Sequence, residues 1–597
     1  MKKFVPLLLL ALLVCGVYAP AVRNGFVWDD TALILRDPLI RSWRLIPEGF
    51  QHFLFTDATA SDFYRPIQRL TYTAEYAAFG FNAAAYHLTS VLCHLGAAIA
   101  LLLFARELLR ACGADEAARK IVPTIAAMIW ALHPIHSSAV VYIAGRADPL
   151  AAAFGFGGLA VGLVSLRSTS LRVWGLTALA TILFLLSALS KEAGLVFLAL
   201  WLAVVLAQRK VGAPALGLIG VVLVSYLTLR LPAHHIEPPA SSATPALVRP
   251  VLIARAVAEY AQLIALPTTL RMERDVETRT SGPGVVRIEA ASLRELQTLA
   301  GIILAAAFIY WLLRARRRDK AVFVALLLCA ISYLPVSGLV PLNATVAEHW
   351  LYLPTAFLFL AATLSGFHFV RASSRLQLRR VALPALALWM ASLGGRTFVR
   401  TFDWKDQRTF LERTIADGGD SARMLINLGS LEMNENRLAL AKKHLDAALQ
   451  KEPEQPFAII NLAAVALKQD DFATARDLLG RATKIPLVEP RAHEMLAVLE
   501  YKETGRANLL RMRLAARTGP PDWSIEKRYV NVLAESGATE AALHELKHCL
   551  ATEWYRADSW RLLAELAAQT GHEAEARAAF ARAESYDVRL HERLGAL

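Results

Sequence analysis

Two adjacent acids, Asp29 and Asp30, follow the first apolar run of the chain in Asn24-Gly-Phe-Val-Trp-Asp-Asp30. A carboxylate at a membrane edge is unfavourable unless it is solvated, paired or put to use, so such acids are candidates for function. An acid so placed can take a proton from a hydroxyl as general base. Further polar groupings sit between later apolar runs. They are Arg65 in Tyr64-Arg-Pro-Ile67; His133 and His136 in His133-Pro-Ile-His136, with Arg146 and Asp148 in Gly145-Arg-Ala-Asp148; Lys191 and Glu192 in Ser190-Lys-Glu-Ala-Gly194; and Glu348 and His349 in Glu348-His-Trp-Leu-Tyr-Leu-Pro354. Arg and Lys can hold and neutralise a departing phosphate, Arg with bidentate contacts. An acid for a hydroxyl, cations for a phosphate and apolar helices open to lipid together fit sugar transfer from a polyprenyl-phosphate donor.

Each grouping also has a plainer reading. Paired acids can solvate a loop end, although Phe26 and Trp28 would anchor these two at the membrane interface. Arg146 with Asp148, and Lys191 with Glu192, can be local ion pairs or solvated turns. His133 and His136 have a metal-ligand spacing but no cysteine beside them, so hydrogen bonding is the simpler role. His87 and His94, seven apart, fall on one helix face that packs inside a bundle.

The elements that must position these residues are legible from composition. The 597 residues are 55% hydrophobic, with a mean hydropathy of +0.39. Apolar runs of bilayer-spanning length fall near 4–22, 85–105, 121–141, 148–166, 173–190, 192–207, 212–230, 297–314, 321–341, 350–370 and 380–397. The net charge is +13, but six short loops (Met1–Lys3, Arg106–Lys120, Arg167–Arg172, Gln208–Lys210, Arg314–Lys320 and Arg371–Arg380) hold nineteen Lys/Arg and only four acids. This is the charge bias of cytoplasmic loops, so it argues for a membrane partner and against nucleic acid. Setting those loops inside puts 23–84 and everything after 398 outside, and every polar grouping falls on that outer side. The run 250–267 carries Arg255 and Glu259, which can pair at i, i+4, so it reads as an amphipathic helix at the outer surface. The N-terminal run has features of a cleavable signal; its length and Pro20 favour retention as a span. Five scattered cysteines give no disulfide framework.

The tail changes character. Leu428 recurs at Leu462, Ala441 at Ala475 and Leu445 at Leu479, a 34-residue period; Gly537, Ala542 and Leu546 recur at Gly571, Ala576 and Phe580. Small residues at helix crossings with large ones between them define tetratricopeptide pairs, of which about five are expected, with a degenerate unit near 489–522. The fold class is therefore all-α: a polytopic bundle of about eleven spans (1–397), a linker (398–420) and a repeat solenoid (421–597).

The ordered set of these motifs, together with Tyr86-His-Leu88, His94 and Trp404 before the repeats, resembles the GT-C superfamily of membrane glycosyltransferases. It is most similar to the transmembrane and tetratricopeptide-repeat O-mannosyltransferases, including bacterial relatives. The resemblance implies catalytic roles for Asp29 and Asp30, with Asp29 favoured as base. It implies substrate-binding roles for Arg65, His133, His136, Arg146, Asp148, Lys191, Glu192, Glu348 and His349. It also implies a polyprenyl-phosphate-linked sugar donor, a protein or glycan acceptor recruited by the repeats, and a multi-pass protein with its repeats on the extracytoplasmic side. Mannose follows from the family name. Two departures, Ser138 where the family often has an acid and His349 where it often has Arg, leave the sugar open. The resemblance names no certain cofactor, and a divalent cation stays open. The competing readings are a membrane-anchored repeat scaffold and a surface-glycan polymerase or ligase.

Overall fold

The computed structural model describes residues 5–56, 63–168, 171–234, 247–274, 276–277, 288–340, 342, 344–373, 376–519 and 522–595. It is built almost wholly of helices. A helix stands at each of the eleven expected span positions: α1 (Val5–Tyr18), α3 (Ala83–Ala111), α4 (Glu116–Leu132), α5 (Ala147–Ser165), α6 (Leu171–Ser190), α7 (Val196–Ala207), α8 (Ala213–Arg230), α10 (Ile288–Arg318), α11 (Lys320–Tyr333), α12 (Tyr352–Ala372) and α13 (Leu376–Thr401). Eight, with α1 continued by the helical turn to Arg23, are long and apolar enough to cross a bilayer, and the chain is a multi-pass membrane protein. The other three, α4, α7 and α11, have 17, 12 and 14 residues, short of the roughly 20 a spanning helix needs. The third run stops at Leu132, short of the expected 141, because His133 precedes Pro134, whose ring disfavours helix at the residue before it. Residues 134–146 then form short helical turns.

The first loop carries a helix that the apolar pattern does not reveal, α2 (Pro66–Phe79). Arg69 on α2 gathers residues 37–54 around it. Its Nε pairs with Asp37 at 3.0 Å, and its two Nη atoms donate to the carbonyls of Gly49, His52, Phe53 and Leu54.

The run near 250–267 is a helix, α9 (Arg249–Ala265), packed along α10. The expected pairing of Arg255 with Glu259 does not form. Arg255 pairs with Glu295 at 2.9 Å, and Glu259 with Arg274 at 2.8 Å, because α10 and the loop after α9 bring these partners closer than one turn of α9 does. That loop contains β1 (Glu273–Arg274), paired antiparallel with β2 (Val346–Ala347).

After α14 (Gln407–Ala416), five helical pairs follow: α15 (Ala422–Asn434) with α16 (Leu438–Lys451), α17 (Pro456–Lys468) with α18 (Phe472–Ala482), α19 (Glu489–Thr504) with α20 (Leu509–Arg517), α21 (Trp523–Glu535) with α22 (Thr539–Thr552), and α23 (Ala557–Gln569) with α24 (Glu573–Tyr586), capped by α25 (Leu590–Gly595). The periodic residues Ala441, Leu445, Ala475, Leu479, Ala542 and Leu546 are all buried, as stacking of repeats requires.

The solenoid touches the first loop at both ends. At its start, Met424 and Leu428 share one apolar core with Trp404, Phe410 and the membrane helices. Trp404 stacks between Tyr142 and Phe410, with ring centroids at 5.3 and 4.7 Å. At its end, Leu39 and Leu45 of the loop pack on Tyr555. There Tyr76 Oη bonds Asp587 at 2.7 Å, Ser42 Oγ donates to the Ser585 carbonyl at 2.9 Å, and the Val588 N–H donates to the Arg41 carbonyl at 3.1 Å.

Candidate functional site

The segment carrying the acid pair is tied to the approach to the repeats. Asn24 Nδ2 donates to the Thr401 carbonyl at 2.9 Å, the Gly25 N–H to the Lys405 carbonyl at 2.8 Å, and the Trp28 N–H to Gln407 Oε1 at 2.5 Å. Trp28 takes φ +49°, a left-handed conformation that non-glycine residues hold only when their surroundings impose it. Trp28 packs against Phe410, at a centroid distance of 5.4 Å, with the Arg423 guanidinium 5.1 Å from its ring.

This geometry gives the two acids different surroundings. Asp30 is fully buried. Its Oδ2 accepts the Val27 N–H at 3.0 Å and its Oδ1 the Ala144 N–H at 2.8 Å. The turn that delivers Ala144 leaves no room at Gly145, where a Cβ would lie 2.5 Å from the Ser138 carbonyl oxygen. Burial pushes the Asp30 carboxyl up to about 8, against the pull of its two N–H donors. Asp29 is half-buried. Its N–H donates to Tyr142 Oη at 3.2 Å. Burial raises the Asp29 carboxyl as well, opposed by a hydrogen bond from Tyr142 and by the charges of Arg423 and Arg65.

Arg65 links Asp29 to a second grouping. Arg65 Nε pairs with Glu192 Oε2 at 3.0 Å, and Glu192 Oε1 accepts the Tyr64 N–H at 2.7 Å. Beside this pair, Lys191 Nζ meets Asp148 Oδ1 at 2.6 Å. His349 lies within electrostatic reach of Lys191, Asp148 and Arg65, and its Nδ1 is buried without a hydrogen-bond partner. Burial lowers the Lys191 ammonium and Asp148 opposes the shift. Arg65, Asp148, Lys191, Glu192 and His349 thus form one neighbourhood, and the Arg65 charge acts on Asp29 beside it. Of these carboxylates Asp29 is the one held neither in an ion pair nor by backbone N–H groups.

The other predicted residues lie in buried networks. Arg146 donates to Glu75 Oε2 at 2.5 Å, Ser90 Oγ at 3.1 Å, Thr71 Oγ1 at 3.0 Å and the Tyr86 carbonyl at 2.5 Å. His133 bonds the Ile264 carbonyl at 3.0 Å and accepts the Ile135 N–H at 3.3 Å. His136 pairs with the Trp130 carbonyl at 2.7 Å and Thr355 Oγ1 at 3.0 Å. His87 and His94 are buried. Glu348 accepts the Arg271 N–H at 2.6 Å, with Arg274 and Arg400 at 3.8 and 3.9 Å. Spacing along the chain carries no signal for Tyr142, Glu75 or Arg423, whose partners Asp29, Arg146 and Trp28 are distant in sequence, nor for Arg274 and Arg400 beside Glu348. No cluster of three or more His, Cys, Asp or Glu side chains suited to a metal ion occurs among the described residues.

A cavity of about 1600 Å³ opens from Trp28 and Asp29, runs past Leu35, Pro38 and Arg41 of the first loop, and follows the inner face of the repeats to Arg593. Of the eleven residues singled out by sequence, Asp29 alone lines it.

No family model matches the chain. It is 25% identical over 501 residues to Protein O-mannosyl-transferase TMTC3 of Mus musculus, covering 77% of this chain and 52% of that protein. To Protein O-mannosyl-transferase F38B6.6 of Caenorhabditis elegans it is 23% identical over 451 residues, covering 73% and 61%. The chain therefore spans about half to three-fifths of the length of these relatives. Among solved structures, it aligns with YrrB, a tetratricopeptide-repeat protein with an unusual peptide-binding site, at 19% identity over 31% of this chain and 96% of that one. The TM-score is 0.22, and the fold above rests on the helices themselves.

Proposed function

We propose that this chain, a relative of the protein O-mannosyl-transferases, moves a sugar from a polyprenyl-phosphate donor to a hydroxyl of a protein or glycan acceptor. Mannose is the sugar that the relatives' names support. The reaction takes place on the outer side of the membrane, and the repeats bring the acceptor. The observation that carries the reading is the position of Asp29, between a grouping that contains Arg65 and Lys191 and a cavity that continues along the repeats.

In this arrangement the acceptor enters from the cavity and the donor phosphate lies toward Lys191 and Arg65. Asp29 takes the proton of the acceptor hydroxyl. The oxygen forms its bond to the anomeric carbon as the bond from that carbon to the phosphate oxygen breaks. Polyprenyl phosphate leaves with the electron pair, and the ammonium and guanidinium stabilise its charge, as preorganised cations do for a developing anion. Tyr142 holds Asp29 in place. Asp30 fixes the loop to the Ala144 turn, and protonation at neutral pH unfits it as a base.

The test uses the purified chain in detergent with polyprenyl-phosphate mannose and peptide or oligosaccharide hydroxyl acceptors, measuring release of polyprenyl phosphate and mass gain of the acceptor. Acceptor-dependent release that disappears in Asp29→Asn supports the reading. Equal release by wild type and Asp29→Asn overturns the assignment of Asp29 as base, and no acceptor-dependent release by the wild type overturns the transferase reading and leaves the membrane-anchored repeat scaffold.

A further inference from the structure

The cavity beside Asp29 is bounded by a closed ring of protein. The repeats leave the membrane part at Trp404, beside the acid pair, and return to the same first loop through Tyr76–Asp587, Ser42–Ser585 and Arg41–Val588. The returning contact is substantial. Leu39 and Leu45 are buried against Tyr555, and Asp587 is buried and also ion-paired with Arg593. A single extended strand can pass with the ring closed.

The lining has the chemistry of a peptide groove. Asn427 and Asn461 occupy equivalent positions in the first two repeats, 34 residues apart, and both line the cavity. Each uses its amide nitrogen within the protein, on the Arg423 carbonyl and on Ser430 Oγ. Each amide oxygen remains available to accept a backbone N–H. Between and beyond them, Phe457 and Val498 line the cavity with two-fifths of their surface still exposed. Apolar faces of this kind suit side chains of a polypeptide better than the hydroxyl-covered surface of a glycan. The volume, about 1600 Å³, exceeds the ~300–1,000 Å³ of small-ligand pockets.

We infer that the acceptor is an unfolded polypeptide segment, threaded between the first loop and the inner face of the repeats, with its backbone N–H groups received by Asn427 and Asn461 and its hydroxyl presented at Asp29. This rests on the transferase reading and narrows its acceptor from protein or glycan to an extended protein strand.

The test measures binding to the full chain in detergent with no sugar donor present, so its result stands apart from donor turnover. The probe is a small disulfide-bonded protein, offered once with its disulfides intact and once reduced and alkylated; a neutral oligosaccharide is the third ligand. A fluorophore on Val498→Cys, in a background lacking the native cysteines, reports occupancy of the cavity. The expected result is binding of the unfolded probe, at least tenfold weaker binding of the folded one, and a fluorescence shift with the unfolded probe only. Asn427→Ala with Asn461→Ala should weaken the unfolded probe by about tenfold, the scale of two lost hydrogen bonds. Comparable binding of folded and unfolded probes, preference for the oligosaccharide, or undiminished binding by a folded double variant overturns the inference. If binding fails as described while acceptor-dependent release persists, the channel alone is wrong. If release is absent as well, the transferase reading fails with it.

Discussion

Asp29 and Asp30 are neighbours in sequence with different surroundings, and on the proposed function substitution separates them. Asp29→Asn keeps shape and hydrogen-bonding capacity toward Tyr142. Transfer should fall by roughly 10²-fold or more, the scale of a lost general base, with an unchanged melting temperature. Asp30→Asn places an NH2 group against one of two backbone N–H donors. That leaves a buried donor unpaired and should destabilise the protein by about 1–3 kcal/mol, read by thermal unfolding. The same acid sets a pH dependence. Its folded carboxyl titrates at about 8 against ~3.9 in an unfolded chain, so the folded state binds the proton more tightly. The stability linked to this is complete below pH ~4 and is lost as pH rises toward 8. The melting temperature of the wild type should therefore fall between pH 5 and 8.5, and fall less in Asp30→Asn; parallel curves for the two proteins would contradict the assignment. Arg146 and Lys191 divide in the same manner. Arg146→Ala strands Glu75 in a buried site and should cost about 3–5 kcal/mol. Lys191→Ala should leave a folded protein that needs about tenfold more polyprenyl-phosphate mannose for half-maximal release, since it loses one charge-assisted contact. Equal thermal stability of the two variants would show that their burial does not distinguish them.

The helices themselves were readable because hydropathy depends on local composition. Each expected span has a helix, and the 34-residue period became five stacked pairs. What local composition could not show is what a helix meets. Arg255 and Glu259 have the right spacing to pair, yet each finds a partner outside its own helix. Trp28 reads as an interface anchor, and its contact with Phe410, far along the chain from the acid pair's own segment, is invisible in the sequence. The stretch 398–420 reads as a linker, whereas Trp404 within it is fully buried between Tyr142 and Phe410. Tyr142 also touches Asp29, so this linker is part of the support of the acid. Trp404→Ala should cost about 3–5 kcal/mol as a large-to-small core change. It should also lower transfer more than donor affinity, because it loosens Tyr142 and leaves Lys191 in place. Limited proteolysis of 398–420 and steady-state kinetics check the two parts; wild-type protection would show that the stack is dispensable.

The two-part organisation suggested by composition implies that the solenoid can be removed without harm to the membrane part, because a repeat array has its own stacked core. The contacts in the folded chain argue otherwise. Met424 and Leu428 of the first repeat complete the core around Trp404 and Phe410. The last repeat covers Leu39 and Leu45, and Asp587 satisfies the buried hydroxyl of Tyr76. The contacts of the last repeat join residues more than five hundred positions apart, which no periodicity or charge count along the sequence can register. Removing residues 421–597 would expose apolar side chains of the first loop and leave the Tyr76 hydroxyl and the Arg423 side of Trp28 without partners. The loop also carries Asp29, so the truncation should disturb the site from within. Hydrogen exchange of residues 35–54 should rise toward that of an open segment in the truncated protein, and donor turnover should fall together with acceptor transfer. The milder Tyr76→Phe, which deletes one hydroxyl and keeps the ring, should raise exchange near 39–45 and 585–588 and leave the core around Trp404 protected. Native exchange at 35–54 in the truncated protein would show that the first loop holds its shape alone and that the return of the repeats to it contributes nothing to the site.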